Sequence, residues 1–523
     1  MKQIIATIFL LAAAAAVTVV YFKSIHNPAT PTELMRYIPA DAALVAEFNN
    51  DDIFYEAYSG NPILANVAGA SKTEELKALY TQVLQNAAYK DAFENERIYL
   101  SLHPSDAEQT DLLVTTAFKE TFKEQDLVNA KAFSGKQLKI EGKPVYQLHI
   151  NGIQRPFYLF SPQKQVLSGS FSEEVLKDAI HHDPKNADKN FATVSEQQHN
   201  NALSILYVNF AQLQPLFKQW YKAANPELFR PLRLLSAKAA LSLNYKTDAF
   251  MFNGTTSIDE GKPLSYLNLF TRQKPIVNHL KDIFPAATAY SMSFAVSDSK
   301  RFTADLADWL SKSKADGNKQ RLFQQIKQET GIDIQREFNT YLSKEFAAVT
   351  TRFDEKLAII EVTNGQLLFP ALMNISNMAD GQIGQFKYAK LPFYLLGDAF
   401  SIFNRPYFTI INNYLILANS ASELRTYTDI YNNQRFLSRT ESYNDFNNLL
   451  SEQSNAAFYI NFKNSRFLFR RDLKKPFYES FNDDHSGLKN FYAASFQLIA
   501  ADRDFYTNFS MQLAAKDTVN THK

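Results

Sequence analysis

The body of this chain is written twice, and that constrains its fold more than any other feature. Residues 155–180 read RPFYLFSPQKQVLSGSFSEEVLKDAI, and residues 405–430 read RPYFTIINNYLILANSASELRTYTDI, an ungapped correspondence at a spacing of 250. Solenoid units recur every 20–50 residues or so, and a spacing this long is instead a domain duplication. Both copies read as a hairpin running into a helix. The turns are SPQK (Ser161–Lys164) in the first and Asn412-Asn413 in the second, where Asn tolerates the positive φ of a tight turn. Ser170 with Glu173, and Ser420 with Glu423, fit a capping box in which the serine oxygen and the glutamate satisfy orphan N–H groups.

Other blocks keep the same order. YIPADAALVAEF (Tyr37–Phe48) parallels IFPAATAYSMSF (Ile283–Phe294), and LYVNF (Leu206–Phe210) parallels FYINF (Phe458–Phe462). Each copy closes on an expected hairpin, AFMFNGTTSIDEGKPLSYLNLF in the first and AASFQLIAADRDFYTNFSMQL in the second. Between them, Lys72–Tyr89 places Leu76, Leu79, Tyr80, Val83 and Leu84 on one helical face, and Phe302, Leu306, Trp309 and Leu310 do so after Ser299. Gln320–Thr330 ends at Gly331, a left-handed cap, and Asp333 caps the stretch carrying Phe338, Leu342 and Phe346. Strand and helix patterns mix without strict βαβ alternation, so the fold class is α+β. The expected organisation is a membrane anchor and short linker over 1–31, a first α+β repeat over 32–273, a second over 274–515, and a polar tail over 516–523. The two antiparallel, helix-bearing halves are expected to pack face to face about a pseudo-twofold axis.

From Ile4 to Phe22 the chain has no charge, no Pro and no Gly, and Lys2 and Lys23 close the run. As a helix it would rise about 28 Å, close to the hydrocarbon thickness of a bilayer. Ile4, Ile5, Ile8, Phe9, Leu10, Leu11, Val17, Val19, Val20 and Phe22 supply the favourable insertion energy. A cleaved signal peptide with its site in Ala12–Ala16 is the rival reading, but the apolar run continues well past that point. The expected address is therefore the bacterial inner membrane, single-pass, with the body in the periplasm; the alternative is a soluble periplasmic protein. The anchor, the proline-led strand opening each half and TGIDIQREFNTYLSKEF (Thr330–Phe346) together resemble a domain-of-unknown-function family of membrane-anchored bacterial envelope proteins. That resemblance implies location and architecture and brings no activity, cofactor or catalytic residue.

Composition narrows the chemistry. With no cysteine, disulfides, thiolate catalysis, Cys-ligated zinc and lipoprotein acylation are all excluded. A formal net charge of +1 gives no global field for nucleic acid. The bias to 43 Phe and 26 Tyr against 2 Trp fits aromatic strands and core. No HExxH, Walker loop, Gly-x-Gly-x-x-Gly or Gly-x-Ser-x-Gly is present, and Ser168-Gly169-Ser170 comes nearest to the last. His181-His182-Asp183 reads as a helix-end loop, Asn49-Asn50-Asp51-Asp52 as a helix cap and Asn482-Asp483-Asp484-His485 as a solvated turn. No catalytic residue, metal ligand or cofactor is expected.

One charged stretch stands out. FLFRRDLKKPF (Phe467–Phe477) interleaves aromatics with Arg470, Arg471, Lys474 and Lys475, and Lys218 and Lys222 fall at the corresponding places of the first copy. Those four cations are candidates for contact with anionic lipid or an acidic envelope polymer; a solvated helix face is the plainer reading. The function expected is non-enzymatic binding or scaffolding of an envelope partner outside the cytoplasm. The alternatives are a carrier holding a lipid or apolar ligand between the halves and an envelope hydrolase without a readable motif. The last would need convergent carboxylates or a Ser–His contact in a cleft.

Overall fold

The computed structural model describes residues 31–60, 63, 66–67, 69–104, 111–123, 133–186, 202–223, 226–259, 265–313, 315–483 and 487–515. The anchor residues Ile4–Phe22 and the tail 516–523 lie outside them. Among the described residues, no helix is long and apolar enough to cross a membrane.

These residues form a mixed α+β structure around one large antiparallel sheet of 20 strands. The first ten are β1 (Leu44–Asn49), β2 (Arg97–Leu102), β3 (Leu112–Ala117), β4 (Phe133–Ile140), β5 (Lys143–Ile150), β6 (Phe157–Gln163), β7 (Val166–Ser170), β8 (Ser204–Asn209), β9 (Ala237–Tyr245) and β10 (Ala249–Ile258). The next ten are β11 (Thr288–Ala295), β12 (Leu342–Thr351), β13 (Lys356–Val362), β14 (Ser376–Met378), β15 (Gly384–Phe386), β16 (Tyr407–Ile411), β17 (Tyr414–Ala418), β18 (Ala456–Asn461), β19 (Phe491–Ala501) and β20 (Asp504–Leu513). Hydrogen bonding runs β4-β5-β6-β7-β3-β2-β1-β8-β9-β10. It continues β20-β19-β18-β11-β12-β13-β17-β16-β15-β14. Adding ten to each strand number turns the first series into the reverse of the second, so the ladder has the same order from either end.

Helices cover both faces of the sheet, which explains strands as continuously apolar as LAIIEV. Along β12, Phe346 and Ala348 join the cluster that holds Phe302, Leu306 and Phe338. Their neighbours Ala347 and Val349 join Leu424 and Tyr427 on the opposite face. The aromatic bias goes largely into this interior: Tyr99, Tyr207, Tyr266, Phe270, Phe294 and Phe346 are among the wholly buried side chains.

The middle of the ladder corrects the expected packing. The segments 32–273 and 274–515 do not meet face to face. They join edge to edge, where β10 pairs with β20 from Ala249↔Gln512 to Thr256↔Phe505. Each of these ten-residue strands would otherwise end its half as a bare edge, with its outward N–H and C=O groups unpaired. Beside this seam, Tyr221 bridges Leu473, and the flanking amides reciprocate. Lys222 N donates to Asp472 O at 2.8 Å and Lys474 N to Trp220 O at 2.9 Å. Tyr221 and Leu473 sit at the same 252-residue spacing that sets LYVNF over FYINF, and the two amide bonds fall symmetrically on either side of that pair, so matching positions face one another.

Local expectations also change. The helix Glu173–His181 is capped by Ser172, whose Oγ accepts from Val175 N, and Ser170 is a buried strand residue whose Oγ donates to Leu112 O. In the second copy, Ser420 caps Ala421–Asn432 as expected, while Glu423 reaches back one residue further than a capping box, accepting from Asn419 N. The spacing therefore falls from 250 at Pro156 and Pro406 to 248 at the caps. The first hairpin is two residues longer, with its turn at Lys164-Gln165 and a register shift between Phe160 and Gln163. After β10, residues Tyr266–Phe270 form a short 3₁₀ helix packed into the core; the hairpin partner of β10 is β9 on its N-terminal side. The helix from Ala70 continues as a π turn and ends at Leu84, short of Tyr89. Asp333 caps only Ile334–Tyr341, because the chain enters β12 at Leu342.

Candidate functional site

The structure assembles one constellation that the sequence reading did not identify. β2 is extended, so Ser101 and His103 lie two residues apart on one side of the chain. β1 pairs with β2 at Leu44↔Leu102, which sets the turn preceding β1 beside His103. Asp41 Oδ1 then lies 2.9 Å from His103 Nδ1, and Ser101 Oγ lies 2.8 Å from His103 Nε2. With Nδ1–H donating to the carboxylate, Nε2 accepts the serine proton, the atom order of a hydrolase triad. Burial pushes the Asp41 carboxyl up, but the hydrogen bond and charge of His103 outweigh it and hold the group below the ordinary carboxylate range.

Exposure runs the wrong way for acyl transfer. A nucleophile must be open to substrate, yet Ser101 is 0% and His103 2% exposed, whereas the Asp41 side chain is 42% exposed. Ser101 Oγ also lies 3.4 Å from Leu113 O, the strand carbonyl beside it. What the relay does is fasten residues 31–43 to the sheet. His182 Nε2 takes part with a 2.9 Å contact to Arg36 O, while Leu34, Met35 and Ile38 bury their side chains beneath.

The sequence candidates for anion contact separate into two groups. The helix Phe462–Asp472 follows β18, capped by Asn461 Oδ1 accepting from Asn464 N, and buries Phe462, Ser465, Leu468 and Phe469. Arg470, Lys474 and Lys475 are exposed. Arg471 is engaged: its guanidinium pairs with Asp354 and donates to Asp472 Oδ1 at 2.6 Å, and the Asp472 bond leads the effects that push its pKa above the usual range. Lys475 lies 3.8 Å from Glu479 within the next helical turn. Phe467, in the same helix, is 63% exposed.

The remaining motifs fall into structural roles. Asp51 Oδ1 accepts from Phe54 N, capping the helix Asp52–Gly60. His181 and His182 close their helix with separate partners, Glu141 and the Arg36 carbonyl. Gly169 lies against Phe157, whose ring atoms come within 2.5 Å of where a Cβ would stand, so Ser168-Gly169-Ser170 is a packed strand. The acidic loop at 482–485 lies partly outside the described residues. Among the described residues no group of three His, Asp or Glu side chains is placed to hold a metal ion.

A cavity of about 20 Å³ lies under the helix Phe210–Trp220, lined in part by Leu213, Phe217, Phe229, Arg230 and Arg233. It has room for a water molecule but not for a lipid chain, and its lining comes from the first half alone. Compared with known families, curated proteins and solved structures, the chain matches none.

Proposed function

We propose that this chain is a membrane-tethered, non-catalytic binding body of the bacterial envelope, made by duplication of one α+β unit and held outside the cytoplasm by its N-terminal segment. The observation that carries the reading is the reciprocal seam. Matching strands and matching loop amides of the two units bond to each other, which makes one continuous platform out of two halves. A platform of this kind suits scaffolding an envelope partner. A carrier would need facing sheets around a ligand, and here the halves share a hydrogen-bonded edge. A hydrolase would need an open nucleophile, and Ser101 is sealed.

Two measurements test the proposal. Full-length protein should remain in the membrane pellet after alkaline carbonate extraction, and a chain lacking residues 1–23 should not. Release of the full chain, or a mature N-terminus after Ala16, would replace the tether with a cleaved signal. Serine-directed fluorophosphonate should leave the protein unlabelled; labelling that disappears in Ser101→Ala would establish a catalytic serine and overturn the non-catalytic reading.

A further inference from the structure

We propose that the outward face of the helix Phe462–Asp472 docks on an anionic lipid surface. The inference deepens the membrane-body reading and rests on it only for where such a surface is met. At 100° per residue, Lys463, Arg466, Phe467 and Arg470 fall within an arc of about 100°, and all four are exposed. Arg471, on the edge of this arc, binds Asp354 and so draws the turn between β12 and β13 against the helix. That turn adds Phe353, 62% exposed, with the Arg352 guanidinium 4.7 Å from its ring centroid. Lys474 and Lys475 continue the positive charge past the helix end. The acids paired with these cations are Asp354 and Asp472, both on Arg471, and Glu479, near Lys475.

Packing does not account for these residues, because the matching helix Phe210–Trp220 packs in the same way without them. Phe210, Leu216 and Phe217 are buried there as Phe462, Leu468 and Phe469 are here. Yet its outward positions carry Ala211, Gln214, Pro215 and Lys218. Cations alone would suit any acidic partner. Two exposed phenyl rings set among Arg and Lys fit a bilayer interface, where rings enter the acyl boundary while the cations meet headgroup phosphates.

The absence of cysteine allows a clean probe. The full chain carrying Phe467→Cys with an environment-sensitive dye is reconstituted into vesicles of phosphatidylcholine alone or with about 30 mol% phosphatidylglycerol, an anionic fraction that sets a negative surface potential. The dye should shift to the blue in anionic vesicles only, and the shift should vanish in high salt. Adding Arg466→Gln and Arg470→Gln should lower the docking equilibrium constant roughly 30-fold, with the circular dichroism melt unchanged. A dye at Pro215→Cys should not respond. Equal spectra in both vesicle types, or a shift that survives the double substitution, would overturn the proposal. So would a dye that responds to a soluble acidic polypeptide and not to vesicles. Incorporation into neutral vesicles reports on the N-terminal tether separately, so failure of one reading is distinguishable from failure of the other.

Discussion

Replacing Arg155 by Met tests how much of the first half hangs on one guanidinium. Arg155 opens the repeated Arg-Pro motif and bridges two carboxylates that are each only 8% exposed in their side chains. Its Nε and Nη2 donate to Glu75 Oε1 at 3.1 and 2.8 Å, and Nη1 and Nη2 donate to Asp111 at 3.2 and 2.9 Å. Lys72 is the second cation, 2.6 Å from Asp111 and 3.1 Å from Glu75. Methionine keeps the stem packing and removes the fork, which leaves two buried carboxylates on one ammonium. Breaking a buried pair costs about 3–5 kcal/mol. Because Lys72 stays and Arg155 is about one-third exposed to screening solvent, the expected loss is about 3 kcal/mol at neutral pH.

The pH dependence has a definite sign. Burial raises the Asp111 carboxyl, but hydrogen bonds from Arg155 and Lys72 outweigh it and hold the pKa below the ordinary value. A depressed carboxylate contributes stability that is present above its unfolded pKa and lost as pH falls through the folded one. The gap between wild type and Arg155→Met should therefore be widest near neutrality and shrink below about pH 4. Urea unfolding followed by circular dichroism at several pH values measures both quantities. A gap under about 1 kcal/mol, or one that does not change with pH, would refute the bridge as the source of stability. Arg405→Met is the control: Arg405 is exposed, and its backbone carbonyl is what Gln385 engages, so its change should stay within about 0.5 kcal/mol.

Three further outcomes follow from the geometry. Gly254→Ala should destabilise the seam by at least about 1–3 kcal/mol in a urea titration, because its Cβ would stand 2.0 Å from the backbone oxygen of Ala240 on the paired strand; an unchanged midpoint would show that β9 yields freely. Ser172→Ala should cost about 1 kcal/mol through the lost cap, measured as a shift in melting. Glu345 is buried, and that raises its pKa even though His279 N and Leu280 N donate to it. Its stabilising contribution is thus full below the unfolded pKa and lost as pH rises through the folded one, so wild type should lose ground to Glu345→Gln as the pH rises above the ordinary glutamate range in parallel unfolding titrations.

Much of this fold is legible because duplication tests each local pattern twice. Asp51 and Asp298 both cap the helix that follows the first strand of a half, and Asn461 marks a helix start just after a strand ends. What stays hidden is set by partners far apart in sequence. The edge-to-edge seam joins residues some 250 positions apart, and nothing within β10 or β20 names its neighbour. Ser101-x-His103 is readable as two groups on one side of a strand, but Asp41, 62 residues before the histidine, arrives only through the register of β1 on β2. Helical spacing turns Arg470 and Arg471 both outward; only the turn carrying Asp354, 117 residues earlier, decides that Arg471 is occupied. The same distance kept Phe353 out of the sequence reading of the basic stretch.

Where the halves agree and where they differ separates holding the fold from doing something else. Strand order, helix burial and the seam agree, and each is a demand of the shared sheet. The Asp41–His103–Ser101 relay does not: β11 on β12 sets Ala287, Thr351 and Val349 at the corresponding places. The sheet therefore tolerates neutral side chains at all three positions. A buried polar relay costs desolvation that an apolar trio avoids, so its presence in one half calls for a local need. That need lies in the chain entering there. Residues 31–43 enter the sheet there, and Asp41, His103 and the Arg36 carbonyl met by His182 fasten them to it. The second half receives its chain from the first. The basic face of Phe462–Asp472 differs between the halves in the opposite sense. Two of the departures from the common plan thus stand apart from holding the sheet, the relay where the chain enters the first half and the basic face exposed on the second.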